Sequence, residues 1–174
     1  MVRGEYIHTT FSTPVSWLIK SVTSCSTWAT ASVVSVFIST RSASGLGSIF
    51  FIKNPSDVIP FICQYSIETK EYFLSITLNG AHEIIRIHIT SVGTLNHTLI
   101  HPREIFSAAI TENAAAIIVC HNHPSENPEP SDEDINSTKT LIEGSKLLGI
   151  PLLDHIIVGG DSYFSFKEHC LLFN

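Results

Sequence analysis

Two histidines and a carboxylate stand close enough in this sequence to share one metal ion. They lie in the stretch His121-Asn122-His123-Pro124-Ser125-Glu126-Asn127-Pro128-Glu129-Pro130-Ser131-Asp132-Glu133-Asp134, which follows a short apolar run. That run reads as a strand, and residues at i and i+2 of a strand point to the same face. The imidazoles of His121 and His123 can therefore converge on one point. Asp134 returns from the first turn of the next helix and can supply an oxygen. Two histidines and one carboxylate, with a fourth position left for water, is a known arrangement for catalytic zinc. Such an ion brings the pKa of water toward neutrality and makes hydroxide available as a nucleophile. The same residues also have an ordinary reading. H-x-H at a strand end is often only polar surface, and Ser131-x-x-Asp134 is a capping box that starts a helix without any metal. The two readings are compatible, because a cap that fixes the helix start also fixes the ligand.

The elements that must position these residues are legible from residue 49 onward. Ser56-Asp57-Val58-Ile59 suggests a capped helical start running toward Tyr65. Glu71 to Leu78 has a strand pattern, and Asn79-Gly80 is a hairpin signal. Glu83 to about Thr90 alternates, with Ile85, Ile87 and Ile89 on one face and Arg86 and His88 on the other. Gly93-Thr94-Leu95-Asn96 reads as a turn. Pro102 to Asn113 reads as a helix, with proline in its first turn and Ile105, Phe106, Ala109 and Ile110 at helical spacing. Ala114 to Cys120 is continuously apolar, as in a strand buried on both faces. A polar loop from Asn122 to Pro130 follows. Ser131 then opens a helix with Ile135, Thr138, Leu141, Ile142, Ser145 and Leu148 along one stripe, stopped by Gly149 and Pro151. Leu152 to Val158 reads as a last central strand, and Gly159-Gly160 turns it into an edge segment through Phe166. Strands alternating with helices imply an α/β protein, a layered α-β-α sandwich around a mixed sheet.

The order H-x-H, seven residues, Ser, two residues, Asp resembles the JAMM signature of JAB/MPN-domain metalloproteins. The sequence is more closely similar to the RadC family. Gly93-Thr94-Leu95-Asn96, His101-Pro102-Arg103-Glu104-Ile105-Phe106, Asn113-Ala114-Ala115-Ala116, His121-Asn122-His123-Pro124-Ser125 and Leu152-Leu153-Asp154-His155 resemble RadC segments in RadC order. The resemblance covers about residues 49–174. It implies a three-layer fold related to that of the cytidine deaminases. It implies zinc held by His121, His123 and Asp134, with Ser131 holding the scissile carbonyl or its oxyanion. It also implies an upstream glutamate acting on the attacking water as general base and then as acid. Glu71 matches that position, with Glu68 and Glu104 as further candidates, and the role demands hydrogen-bond reach to the water. The implied activity is that of a zinc metallopeptidase, cleaving peptide or isopeptide bonds. The alternatives are a DNA-repair-associated accessory protein and a non-catalytic, metal-stabilised interaction domain. RadC proteins usually carry glycine after the serine of the H-x-H-P-S segment, where this chain has Glu126. That difference bears on the loop conformation and not on the ligands.

Several other residues have competing readings. His101 beside Pro102 reads as a helix-entry residue. Asp154-His155 is a polar pair in an apolar strand, either a support for the site or a satisfied structural pair. Cys120, next to His121, points to the opposite strand face and reads as core. Glu126, Glu129, Asp132 and Glu133 make the approach loop acidic, which favours basic substrates or simply keeps the loop wet.

The 174 residues suffice for one well-buried core, and a composition that is 44% hydrophobic and 15% charged is that of a globular chain. Residues 1–48 carry three basic residues (Arg3, Lys20, Arg41) and one acid (Glu5); residues 49–174 carry seven basic and fifteen acidic residues, a net of −8. The sequence therefore divides into a Ser/Thr-rich leader over 1–48, of no assignable role, and a RadC-like domain over 49–174. In the leader, Val33 to Ile38 could be a strand and Arg41 to Ser48 a linker. No convincing helix-hairpin-helix precedes the domain, and the net charge of −6 disfavours general nucleic-acid binding, which depends on Lys and Arg. Ser21 to Thr40 is uncharged, but half of it is Ser or Thr, which argues against a membrane span. With no clear secretion signal and no C-x-x-C among Cys25, Cys63, Cys120 and Cys170, a cytoplasmic protein with reduced, mostly packed cysteines is expected. The expected partner is a peptide or protein substrate. Two look-alikes are set aside: zinc deaminases need Pro-Cys-x-x-Cys, which is absent, and His121-Asn122-His123 is not the dispersed motif of HNH nucleases.

Overall fold

The computed structural model describes residues 50–93 and 101–172. The expected leader features, Cys25 and most of the turn at 93–96 lie outside these residues. Five strands form one mixed sheet in the order β2-β1-β3-β4-β5. They are β1 (Glu71–Leu78), β2 (Ile84–Gly93), β3 (Ala116–Asn122), β4 (Leu152–Gly159) and β5 (Ser162–Ser165). All neighbouring pairs are antiparallel except β3 and β4, which are parallel. A parallel pair needs a crossover, supplied here by α3 (Asp132–Leu148), after a short α1 (Ile59–Ile62) and α2 (Pro102–Thr111).

The sheet has a core on each face, which makes the fold a layered α/β sandwich. On one face α2 and α3 bury Ile105, Phe106, Ala109 and Leu141 against Phe73, Val119 and Ile157. On the other, the segment around α1 buries Val58, Phe61 and Ile62 against Leu74, Ile76, Cys120 and Ile156. Strand β3 contributes alternately to both, and each of its residues is buried. This is why its sequence is an unbroken apolar run that ends only where the site begins. Cys120 faces the second core, opposite His121, and burial pushes its thiol pKa well up. Cys170, by contrast, is exposed, so packing does not extend to every cysteine.

Several local expectations are corrected. The N-terminal cap is Asn54, not Ser56: Asp57 Oδ2 accepts from Asn54 N (2.9 Å) and Asp57 N donates to Asn54 O (3.1 Å) around a 3-10 turn at Pro55–Asp57. The hairpin signalled by Asn79-Gly80 does form between β1 and β2, with a loop longer than that dipeptide. The Asn79 carboxamide oxygen accepts from Ala81 N and Glu83 N, and the left-handed residue is His82 (φ 60°), so the loop runs five residues. An asparagine that binds its own backbone two residues on extends the turn in this way. β2 is an edge strand, so Ile87 packs on the second core while Ile85 and Ile89 stay exposed. In α3 the buried stripe is Asp134, Thr138, Leu141 and Ser145, and Leu148 is exposed. β3 runs two residues further than its apolar stretch, so His121 and Asn122 lie inside the ladder. Among the described residues no helix is long and apolar enough to cross a membrane.

Candidate metal centre

His121, His123 and Asp134 come together although ten residues separate the second histidine from the carboxylate. The end of β3 positions His121, and its neighbour in β1, Phe73, stacks on the ring with centroids 5.5 Å apart. His123 N continues the β3–β4 ladder by donating to Val158 O at 2.8 Å. Asp134 sits at the third position of α3. There it accepts from Ser131 N (2.8 Å) and Ser131 Oγ (2.6 Å) through Oδ2, while Asp134 N donates to Ser131 Oγ (3.1 Å). The capping box therefore exists, and it also aims the carboxylate. Asp134 Oδ1 lies 3.2 Å from His121 Nε2, Oδ2 lies 3.4 Å from His123 Nε2, and the two Nε2 atoms are 3.0 Å apart.

These separations test whether the residues fit zinc. With metal–ligand bonds near 2.05 Å, two donors on a tetrahedron stand about 3.3 Å apart. The separations, 3.0 Å between the two nitrogens and 3.2 and 3.4 Å from each to one or the other carboxylate oxygen, lie around that value, and one ligand atom from each residue can be chosen so that all three lie within 4.8 Å of one another. A side chain at each corner is thus placed where zinc would need it, and nitrogen–nitrogen–oxygen is a donor set zinc accepts.

The electrostatics agree. Burial alone would raise the Asp134 carboxyl, but hydrogen bonds from His121, His123 and Ser131 and the nearby His121 charge outweigh it and hold the pKa far below the usual carboxylate range. Burial lowers His123, yet the Asp134 carboxylate, the Asn127 carbonyl and, more weakly, Glu71 together raise it. His155 is fully buried, and desolvation holds its pKa well below the ordinary value.

The remaining sequence candidates fall into two groups. Glu71 is brought to the site. Register pairs Phe73 with His121, Glu71 lies two residues before Phe73 on the same face of β1, and its charge helps to raise the His123 pKa. Glu68 instead lies by Tyr65, whose pKa it helps to raise after burial and Tyr72, and Glu104 lines a separate groove with His88, Thr90 and Arg103. The Ser131 hydroxyl donates its hydrogen to Asp134 in this structure, so its observed contact is with the ligand. His101 is the N-cap of α2, its Nδ1 accepting from Arg103 N at 3.4 Å. The Asp154-His155 pair divides. His155 Nε2 meets His121 Nδ1 at 2.9 Å, on the site's side of the sheet. Asp154 faces away and ties β4 to the chain after β5, accepting from Ser165 Oγ (2.7 Å) and Lys167 N (3.0 Å), while burial raises its own pKa.

Sequence reasoning passed over three supports. Asn122 is fully buried; its Oδ1 accepts from Tyr72 N (2.7 Å) and its Nδ2 donates to Lys70 O (3.0 Å), clamping the backbone on either side of Glu71. Thr138 Oγ1 lies 2.6 Å from both His155 Nδ1 and Asp134 O. The Asn127 carbonyl oxygen accepts from His123 Nδ1 at 2.8 Å. A long-range side-chain partner and a main-chain carbonyl leave no periodic signal. Thr138 had one, because it falls one turn after Asp134 on a buried stripe.

A family model for the RadC-like JAB domain matches residues 52–171. Among curated proteins, a "UPF0758 protein" of Alkaliphilus metalliredigens is 48% identical over 122 residues, which is 70% of this chain and 53% of that protein. A "UPF0758 protein" of Methanospirillum hungatei is 56% identical over 96 residues, 55% of this chain and 43% of its own length. One from Clostridium acetobutylicum is 52% identical over 103 residues, covering 59% and 45%. The chain spans about half the length of the curated relatives it matches.

Proposed function

The chain belongs to the RadC-like JAB domain family, and from that premise and the geometry of its site we propose that it is a zinc-dependent hydrolase of peptide or isopeptide bonds. The observation that carries the reading is the cluster of His121 Nε2, His123 Nε2 and the Asp134 carboxylate, at separations that suit a tetrahedral ion. When bound, zinc supplies Lewis acidity, which acidifies water and polarises a carbonyl. Residues 49–174 form the functional unit in this reading, acting in the cytoplasm.

The chain's own residues divide the remaining work. Glu71, at the start of β1 and near enough to His123 to act on its charge, takes the proton of the attacking water and returns it to the leaving nitrogen. Asn122 holds the two peptide groups that flank Glu71 and so fixes where that carboxylate begins. Ser131 orients Asp134, and its hydroxyl can hold the substrate carbonyl oxygen once it turns from Oδ2. The exposed Glu126, Glu129, Asp132 and Glu133 around the site favour a substrate with basic residues near the scissile bond and repel phosphates. A DNA-associated role finds no support in that surface.

The test is zinc content and hydrolysis measured on the same preparations. The native protein should hold about one zinc per chain, and the His121→Ala/His123→Ala double variant none. Glu71→Gln should keep its zinc and lose roughly 10²–10⁴-fold in the rate on a responsive peptide or isopeptide. A native protein that takes up no zinc overturns the reading. Zinc bound with no hydrolysis across diverse libraries supports a non-catalytic, metal-stabilised domain instead.

A further inference from the structure

The hydrogen bonds behind His121 have a direction that the atoms themselves dictate. We propose that Thr138 and His155 form a positioning relay that keeps the His121 hydrogen on Nδ1 and its lone pair on Nε2, and so sets the affinity of the centre for a divalent ion. The proposal rests on the metal-binding part of the reading above and assigns roles to two residues that are not ligands.

Thr138 Oγ1 has one hydrogen and two partners, each 2.6 Å away: Asp134 O and His155 Nδ1. A main-chain carbonyl can only accept. The threonine hydrogen therefore goes to Asp134 O, since any other placement sets two lone pairs against each other at that distance. Toward His155 the hydroxyl can then only accept, so His155 carries its hydrogen on Nδ1. The His155 ring is fully buried between Phe166, stacked at 4.7 Å, and the edge of Phe73. A neutral ring with hydrogen on Nδ1 presents a lone pair at Nε2, and what faces it at 2.9 Å is His121 Nδ1. His121 therefore donates there, and in the neutral ring its Nε2 carries the lone pair, aimed at His123 and Asp134. The Asn127 carbonyl acts in the same way on His123, since Nδ1 must donate to it and the neutral ring again carries its lone pair on Nε2. Two lone pairs 3.0 Å apart repel unless a cation or proton stands between them.

The relay also couples the two ends of the site. Thr138 lies one turn after Asp134 in α3, so the helix turn that carries the oxygen ligand also carries the anchor of the imidazole ligand. The consequence of removing the hydroxyl is specific. In Thr138→Val the His155 Nδ1–H would be buried without an acceptor, at a cost that favours moving the hydrogen to Nε2. That change turns a donor toward His121 Nδ1, forces the His121 hydrogen onto Nε2 and points it into the metal position.

The test compares zinc affinity and imidazole tautomers in the native chain, Thr138→Val, Thr138→Ser and His155→Phe, using zinc alone as the probe. Chelator competition should show zinc binding about 10–100-fold weaker in Thr138→Val and His155→Phe, and within about threefold of native in Thr138→Ser. Nitrogen-15 NMR of the metal-free protein should place the His121 hydrogen on Nδ1 in the native chain and Thr138→Ser, and on Nε2 in Thr138→Val. Thermal unfolding of each metal-free variant separates a lost fold from a lost relay. Thr138→Val binding zinc as the native chain does, or Thr138→Ser failing as badly as valine, overturns the proposal. A native chain that takes up no zinc overturns the metal reading instead, and the tautomer spectra then decide the relay by themselves.

Discussion

Gly159→Ala is a single methyl that should damage the metal centre from outside it. Gly159 ends β4, and an added Cβ there would stand 2.8 Å from Glu126 C, 2.9 Å from Glu126 O and 3.0 Å from Asn127 C. All three are main-chain atoms, so no side chain can swing away. Ordinary contact begins at 3.4 Å, and the loop must therefore retreat by at least about 0.6 Å. One of the three atoms is the carbon of the carbonyl that holds His123 Nδ1. That carbon stands at 3.0 Å and must retreat by about 0.4 Å, about twice the roughly 0.2 Å that zinc–ligand distances tolerate. The strain of the added methyl should cost about 1–3 kcal/mol in urea unfolding of the metal-free protein. The misplaced carbonyl should weaken zinc binding by about 10–100-fold in chelator competition. Gly160→Ala is the control: its nearest contact is the Glu126 Cβ at 3.4 Å, but its φ is +54°. It should lose stability through its backbone and keep most of its zinc affinity. Gly159→Ala with native stability and native zinc binding would refute the reasoning. Equal loss of affinity in both variants would show that the loop contact is not what matters.

Three further outcomes are expected. Glu126 holds φ +63° without being glycine, so Glu126→Gly should raise the urea unfolding free energy by roughly 1 kcal/mol; an unchanged or lower value would show that the strain is not there to be released. Ser131→Ala removes the hydroxyl that caps α3, and should cost about 1 kcal/mol in the metal-free protein; zinc affinity should fall too, because Asp134 loses one of two donors, and a variant as stable as the native chain would sink the capping argument. Burial pushes the Glu112 carboxyl up, but hydrogen bonds from Thr77 and His88 and the charges of His88 and Arg86 outweigh it, so its folded pKa lies below the ordinary value. The stability it contributes is present above the unfolded pKa near 4.3 and is lost as pH falls through the folded value. The native-minus-Glu112→Gln difference in urea midpoint should therefore shrink from about pH 5 to about pH 3, and a constant difference would contradict the sign.

The parts of the fold that were legible are those where one physical demand dominates. β1 falls at Glu71–Leu78 as its pattern implies, and β3 is buried throughout because it faces two cores. Gly149 ends α3 in the left-handed conformation its place after the last turn requires. The hairpin at Asn79-Gly80 forms as signalled, with a loop lengthened because Asn79 binds its own backbone. Misreadings occurred where two demands compete. The isoleucines of β2 alternate as for burial, yet an edge position leaves Ile85 and Ile89 exposed. For the candidate site, the ligand-forming triangle was legible because strand period and helix cap are both local rules. Asn122, the Asn127 carbonyl and the role of Thr138 were not, since each works through a partner remote in sequence or through the main chain.

The spacing of Ser131 and Asp134 also explains how one carboxylate can serve folding and chemistry without conflict. A capping residue three positions into a helix accepts from the N-cap backbone through one oxygen. Here that oxygen is Oδ2, which takes both Ser131 donors, and Oδ1 is left directed at His121 Nε2. The helix start therefore orients the ligand before any ion arrives. The cap is satisfied by local atoms, whereas the two Nε2 atoms face each other and the Asp134 carboxylate. The two histidines and the Asp134 charge thus share the electrostatic demand for a cation, while the cap fixes where that charge stands. Asp134→Asn separates these parts: the amide can still accept at the cap but brings no negative charge to the ion. It should keep the α3 start and most of the metal-free stability while losing zinc, whereas Asp134→Ala should lose both. Equal destabilisation by the two variants would mean that the carboxylate charge, and not its place in the cap, holds the helix start.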